Sequence, residues 1–166
     1  MGGNNKRPAN KQVPTAAVPS APERVPRRVR GVAVPGEMDE QHPVWRTALL
    51  DREHDGSWSW KITDQTLLKI VNFLSEMERL TWREIRQQQT GGRRRGPKHK
   101  TIPRNHLCKE AQDRLVELQL DDFDELFRFR TGNMERLWGV LSSDSPRIFY
   151  PIWWDPDHKV CPSKDQ

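Results

Sequence analysis

The side chains suited to chemistry gather toward the C-terminal end of this 166-residue chain. His158 is the first of them: an imidazole with an ordinary pKa of roughly 6.5 exchanges protons near neutrality, and neighbouring cations lower that value. Just upstream stand Arg130 and Arg136. A guanidinium is a planar fork of donors and fits the oxygens of a phosphate better than a point charge does. Farther back, residues 91–109 carry seven Lys/Arg and no Asp/Glu. Within or beside that block Arg93, Arg94, Arg95, Lys98, Lys100 and Arg104, with Lys159 next to the histidine, are candidates for nucleic-acid contact, since each neutralised phosphate releases counterions and strengthens binding at low salt. His99 and His106 fall in the same stretch without a partner at a recognisable spacing.

The elements that must hold these groups are legible around them. From Asp124 to Cys161, three short runs of aromatic, β-branched and alternating residues read as strands over 126–130, 136–141 and 148–154, separated by the turn residues Thr131-Gly132-Asn133 and Ser142 to Pro146. Period-2 alternation sets Arg128 and Arg130 opposite Phe127 and Phe129, and sets Arg136 with Trp138 opposite Leu137 and Leu141. One face of this meander is therefore apolar and the other carries guanidinium groups. Pro151 removes a ladder donor, so the last strand must lie at an edge or carry a bulge. Upstream, Ser57 to Ile62 alternates and reads as a first strand with Trp58 and Trp60 on the core face. Thr63 or Asp64 then caps an amphipathic helix on which Leu67, Ile70, Val71, Leu74 and Met77 recur at three-and-four spacing, with Leu80, Trp82 and Ile85 extending it to about Arg86. Gln87 to Gly92 breaks it and opens the basic loop, and Pro103 and Asn105 set up a second helix with Leu107, Ala111, Leu115 and Leu118 on one face. The expected fold is α+β, a β-α-α-β-β-β sheet with two helices packed on one face.

Composition bounds the rest. The chain is 34% apolar and 31% charged, with seven tryptophans, which suits one compact domain. Residues 1–43 contain seven of the thirteen prolines and no aromatic, and read as a disordered basic arm before a folded domain spanning 44–166. Arg24, Arg27, Arg28 and Arg30 in that arm either hold nucleic acid loosely or belong to a solubilising tail. Cys108 and Cys161 are too few for a disulfide framework and lack the spacing of a zinc site. No metal or cofactor is expected. No apolar run approaches a membrane span, the N-terminus lacks the apolar core of a secretory signal, and a reduced cytoplasm fits best. A net charge of +5 concentrated in two segments points to a phosphate-rich partner.

The pattern Phe129-Arg130-Thr131-Gly132-Asn133, then Glu135-Arg136-Leu137, then a last apolar strand closing on His158-Lys159-Val160, resembles the C-terminal meander of the RelE/ParE toxin superfamily. The ending Trp153-Trp154-Asp155-Pro156-Asp157-His158-Lys159-Val160-Cys161-Pro162-Ser163 is also similar to that of a group of RelE-like bacterial proteins. The resemblance implies a toxin that cleaves messenger RNA without a metal, by driving a ribose 2′-OH onto the adjacent phosphate, and that is held in check by a small antitoxin covering the basic face with an acidic segment. By position it implies Arg136 as the arginine that stabilises the transition state, Arg130 as its partner across the hairpin, and His158 as acid or base.

Other readings stand beside it. The same scaffold could bind nucleic acid without cutting it, with the arginines as grips and His158 as a turn residue. A ParE-like chain would inhibit a topoisomerase and cut nothing, and a metal-dependent nuclease would need Asp155, Asp157 and His158 to face one point. Arg130 and Arg136 could instead pair with Glu125 or Glu135 as ordinary strand residues. Tyr150, Trp153 and Trp154 could stack on unpaired bases or pack in the core.

Overall fold

The computed structural model describes residues 38–93 and 95–162. They form an α+β structure built on a five-stranded mixed sheet in the order β1-β5-β4-β3-β2. In chain order the elements are β1 (Val44–Trp45), α1 (Asp64–Met77), α2 (Trp82–Gln87), β2 (Lys100–Pro103), a 3-10 turn (Arg104–His106), α3 (Lys109–Glu117), β3 (Glu125–Arg130), β4 (Arg136–Leu141) and β5 (Ile148–Asp155). β2 to β5 are antiparallel neighbours, and β1 runs parallel to β5. No helix among the described residues is long and apolar enough to cross a membrane.

Both faces of the sheet are covered. Alternation along β3 and β4 divides the apolar side chains into two sets. Phe127, Phe129 and Leu137 join Phe149 and Trp154 in a core closed by Ile70 and Met77 of α1 and Trp82 and Ile85 of α2. Leu126, Trp138 and Val140 join Tyr150, Ile152 and Trp153 in a second core closed by Ala111 and Leu115 of α3, by Trp58 and by Val160. The expectation that two helices share one face is corrected: α3 lies opposite α1 and α2. Every β5 side chain from Phe149 to Asp155 is buried, because a strand covered on both sides must be apolar at both parities. Tyr150, Trp153 and Trp154 are core residues, with no face left for stacking on a base.

Other expectations also change. Residues 57–62 form no strand; Trp58 enters the α3-side core while Trp60 packs against the other core. The segment crosses the sheet edge, and its alternation reflects two faces rather than one. The strand position beside β5 is filled by Val44–Trp45 instead. The single long helix is two helices, each with its own start: Thr63 Oγ1 accepts from Thr66 N at 3.2 Å, and Thr81 with Glu84 forms a reciprocal capping box at α2. The basic loop runs into β2, whose first residue is Lys100 and which pairs with β3. Residues 38–41, assigned to the arm, are folded: Met38 is buried, and the carbonyls of Asp39 and Gln41 accept from Arg83 N and Trp82 N at the start of α2.

The bulge expected from Pro151 is present, in an interior strand. Between Trp138 and Gly139 the register passes over Ile152, so that Trp138 faces Trp153 and Gly139 faces Pro151. The carbonyl of Ile152 accepts from Asp51 N at 3.1 Å and from Trp60 Nε1 at 2.7 Å. Gly139 is required there, since a Cβ would run into the carbonyl oxygen of Tyr150.

Candidate functional site

The meander brings cations to one end of the α3 side of the sheet. Cross-strand pairing sets Lys100 opposite Arg128 and Arg128 opposite Trp138. In the next rung Arg130 faces Arg136, and Arg136 faces Asp155. Residues directly opposite in a ladder project to the same side. Lys100, Arg128, Arg130, Arg136 and Asp155 therefore share one patch. β5 ends at Asp155, and the turn that follows returns His158 to this patch, with Arg128 Nη1 donating to His158 Nε2 at 3.4 Å.

What holds the histidine is Asp155. Its carboxylate is fully buried and accepts from Lys159 N at 2.9 Å, Val160 N at 3.0 Å and Trp138 Nε1 at 3.3 Å. Those bonds tie the turn back onto the strand end, and His158 between them adopts φ +58°. A left-handed backbone at a residue with a Cβ costs on the order of 1 kcal/mol and persists where the surroundings enforce it.

Among the described residues the arginines have no salt-bridge partner, and Asp155, across the ladder from Arg136, offsets their charge only in part. Arg128 is 8% exposed and Arg136 5% exposed, and the Nε of each is buried with no hydrogen-bond partner. No salt bridge among the described residues reaches Arg128, Arg130 or Arg136. The carboxylate of Glu135 is taken by Lys69 at 2.6 Å. Instead, the β3–β4 turn brings neutral oxygens onto the guanidinium groups: Arg136 Nη1 donates to the backbone Asn133 O at 3.1 Å and Glu135 O at 2.8 Å, and Arg130 Nη2 donates to the side-chain Asn133 Oδ1 at 3.3 Å.

The electrostatics follow. Burial, with Arg128 and Arg130 alongside, brings Arg136 down to about 10. Burial also lowers Arg128. His158 falls to about 4, through burial first and then through Arg136, Arg128 and Arg130, against the partial opposition of Asp155. At neutral pH the imidazole is uncharged, with its Nε2 lone pair facing a guanidinium. Burial raises the thiol of Cys161 against the opposing field of Arg128 and Lys100, which favours its protonated form.

The basic block is only partly drawn in. Lys100 is exposed at the mouth of the patch. Arg104 stands at the far end of β2, where its backbone N–H donates to Asp124 O, so the site does not include it. Arg93 and Arg95 are exposed in the hairpin leading to β2, Lys98 is half-buried beside His99, and Lys159 is exposed on the His158 turn. Arg94 and the arginines of residues 24–30 lie outside the described residues.

The chain matches no protein-family model, no curated protein and no solved structure.

Two members of the site are not given these roles by the sequence, which offers Asp155 only as a metal ligand or turn residue. Arg128 shares the parity of Arg130 and was signalled by that alternation alone. Asp155 reads as turn material, and only a buried carboxylate under two backbone N–H groups reveals its role. His99 also belongs to the scaffold: its Nδ1 accepts from Arg130 N at 3.1 Å, and its Nε2 lies 3.1 Å from Gln88 Oε1. Burial lowers it to about 3, so it is a neutral strut that fixes the end of β3.

Proposed function

We propose that this chain is a RelE-like endoribonuclease toxin, which cleaves RNA by attack of a ribose 2′-oxygen on the adjacent phosphate. The observation that carries this reading is the convergence of Arg128, Arg130 and Arg136 with His158, the guanidinium groups having no salt bridge to a carboxylate among the described residues. Buried charge without a counter-ion is costly, and a site that retains it is suited to an anionic ligand. The arginines hold the non-bridging oxygens and stabilise the charge that grows as the P–O2′ bond forms and the P–O5′ bond breaks, giving a 2′,3′-cyclic phosphate and a 5′-hydroxyl. His158 exchanges protons with the reacting oxygens, and Lys100 at the mouth receives the flanking backbone. An acidic segment of a partner protein, acting as antitoxin, would mask the same patch.

Controlled expression in a bacterial host tests the proposal. Wild-type chain is expected to arrest growth and to create new message ends in primer-extension maps, while a His158→Ala, Arg136→Ala double variant does neither. Arrest by the double variant without new ends would favour topoisomerase inhibition, and soluble wild-type protein without effect would leave nucleic-acid binding alone.

A further inference from the structure

Arg128 and His158 meet nitrogen to nitrogen. A guanidinium can only donate, so the 3.4 Å contact engages the lone pair of His158 Nε2. A proton on that nitrogen would set one N–H against another, beside Arg128 and Arg130 of β3 and Arg136 of β4, with Asp155 of β5 as the carboxylate facing the group. That carboxylate already accepts three N–H groups. Cys161 and Lys100 flank Arg128 on the remaining side, and the thiol is uncharged. In the free protein the imidazole therefore serves as an acceptor for an arginine, and it has no proton to give to a leaving group.

An oxyanion changes both conditions together. Its oxygens accept from the guanidinium groups of the cluster, in which the Nε atoms of Arg128 and Arg136 have no hydrogen-bond partner. Arg128 is then drawn off Nε2, and the negative charge offsets the cations that oppose an imidazolium. We propose that an oxyanion entering the arginine cluster brings a proton with it, and that this proton resides on His158 Nε2. The ligand class is a phosphodiester or another tetrahedral oxyanion. In terms of catalysis, which rests on the RNA-cleaving reading above, the substrate arms the acid. His158 takes a proton from water when the phosphate binds, the 2′-hydroxyl loses its proton to water as P–O2′ forms, and Nε2–H protonates O5′ as P–O5′ breaks, so that protons balance over one turnover.

The test is an NMR titration of the His158 Cε1–H signal in the full chain between about pH 4.5 and 8, with and without saturating sulfate, an anion that does not itself titrate there. His158→Gln assigns the signal. Without sulfate, His158 is expected to be largely neutral across the range. With sulfate its midpoint rises by about one to two pH units, and sulfate affinity strengthens by up to about tenfold for each unit fall in pH through that interval. Arg128→Gln is expected to raise the midpoint of the free protein and to shrink the sulfate-induced rise. Sulfate that binds, seen by shifts of the Arg136 Nε–H signal, without moving His158 overturns the proposal. So does failure of sulfate to bind at the cluster. Coupled proton uptake in a protein that cuts no RNA would support the inference and sink the endoribonuclease reading, which keeps the two failures apart.

Discussion

Arg130 and Arg136 face each other directly across the β3–β4 ladder and share one acceptor: Gly132 O receives Arg130 Nε at 3.1 Å and Arg136 Nη1 at 3.3 Å. Like charges directly opposite in a sheet are destabilising. The turn supplies neutral oxygens that orient the forks and leave their charge in place, and the carboxylate of Asp155, across the ladder from Arg136, is engaged by three N–H groups. The arrangement costs stability and favours an anion, which is the physical basis of the functional reading.

Arg128 tests that trade. It is buried, its Nε is unpartnered, and its Nη1 makes a long contact to His158 Nε2. Replacing a poorly compensated buried ion by an apolar side chain of similar size is often stabilising. Arg128→Met is expected to stabilise the fold by roughly 1 kcal/mol, raising Tm by about 2–4 °C. The same variant should lose RNA cleavage by about a hundredfold or more. Calorimetry and a cleavage assay on one preparation check both halves; a fall in Tm would show the guanidinium to be a structural member.

Asp155 separates holding the histidine from holding the fold. Asp155→Ala strips the acceptor from three N–H groups and is expected to cost about 2–4 kcal/mol. Asp155→Asn keeps the shape and one accepting oxygen, so its stability loss should be smaller. Because it removes the negative charge facing the arginines, Asp155→Asn should bind RNA more tightly while cleaving it more slowly, as His158 is released from its enforced backbone. Tighter binding with unchanged cleavage would remove Asp155 from the account.

Much of this site is legible in the sequence, for identifiable reasons. Period-2 alternation within 126–130 and within 136–141 sets Arg128 with Arg130 and Arg136 with Trp138, the register across the turn brings the two sets to one face, and Pro151 calls for an edge position or a bulge. β2 escapes notice because Lys100-Thr101-Ile102-Pro103 has one apolar position and takes its strand conformation from pairing with β3. Trp58 and Trp60 mislead because a segment crossing a sheet edge alternates as a strand does. The side on which α3 packs is a tertiary choice, decided by the α3-facing parity of Leu126, Trp138 and Val140 as much as by the helix. Asp155 takes its meaning from the chain turning back at Lys159 and Val160, which no local pattern encodes.

Acid should weaken the fold in two steps. His99 lies at about 3 when folded against roughly 6.5 when unfolded. The unfolded chain therefore takes up the proton first, and the stability this histidine contributes is complete above about pH 6.5 and falls toward pH 3 with a slope of up to ~1.4 kcal/mol per unit. Asp51 is held at about 2: hydrogen bonds from Arg114 and Trp153 outweigh the opposing effect of its burial. A depressed carboxylate contributes above its ordinary value, and this contribution is lost as pH falls from about 4 to about 2. Urea midpoints against pH should become less steep in the upper window for His99→Gln, where His158 keeps part of the slope, and in the lower window for Asp51→Asn. Parallel curves for wild type and His99→Gln would contradict the neutral strut.

Lys100 opens the four-residue β2 and Arg104 follows its last residue, so their substitutions should differ. Lys100→Gln is expected to weaken RNA binding and to reduce the slope of log K against log salt by about 1, as for one lost phosphate contact, without altering Tm. Arg104→Gln should change neither. Equal effects from both would extend the interface along the whole of β2.

The central claim is that Arg128, Arg130, Arg136 and His158 cut RNA using its own 2′-hydroxyl. Its most direct measurement incubates the purified full chain, in the presence of a metal chelator, with a labelled single-stranded RNA and with the same strand in DNA. Wild-type protein is predicted to cut the RNA, leaving 2′,3′-cyclic phosphate and 5′-hydroxyl ends, to bind the DNA without cutting it, and to lose cleavage with His158→Ala while still binding RNA. Cleavage of the DNA, or cleavage of RNA that survives His158→Ala, would contradict the account.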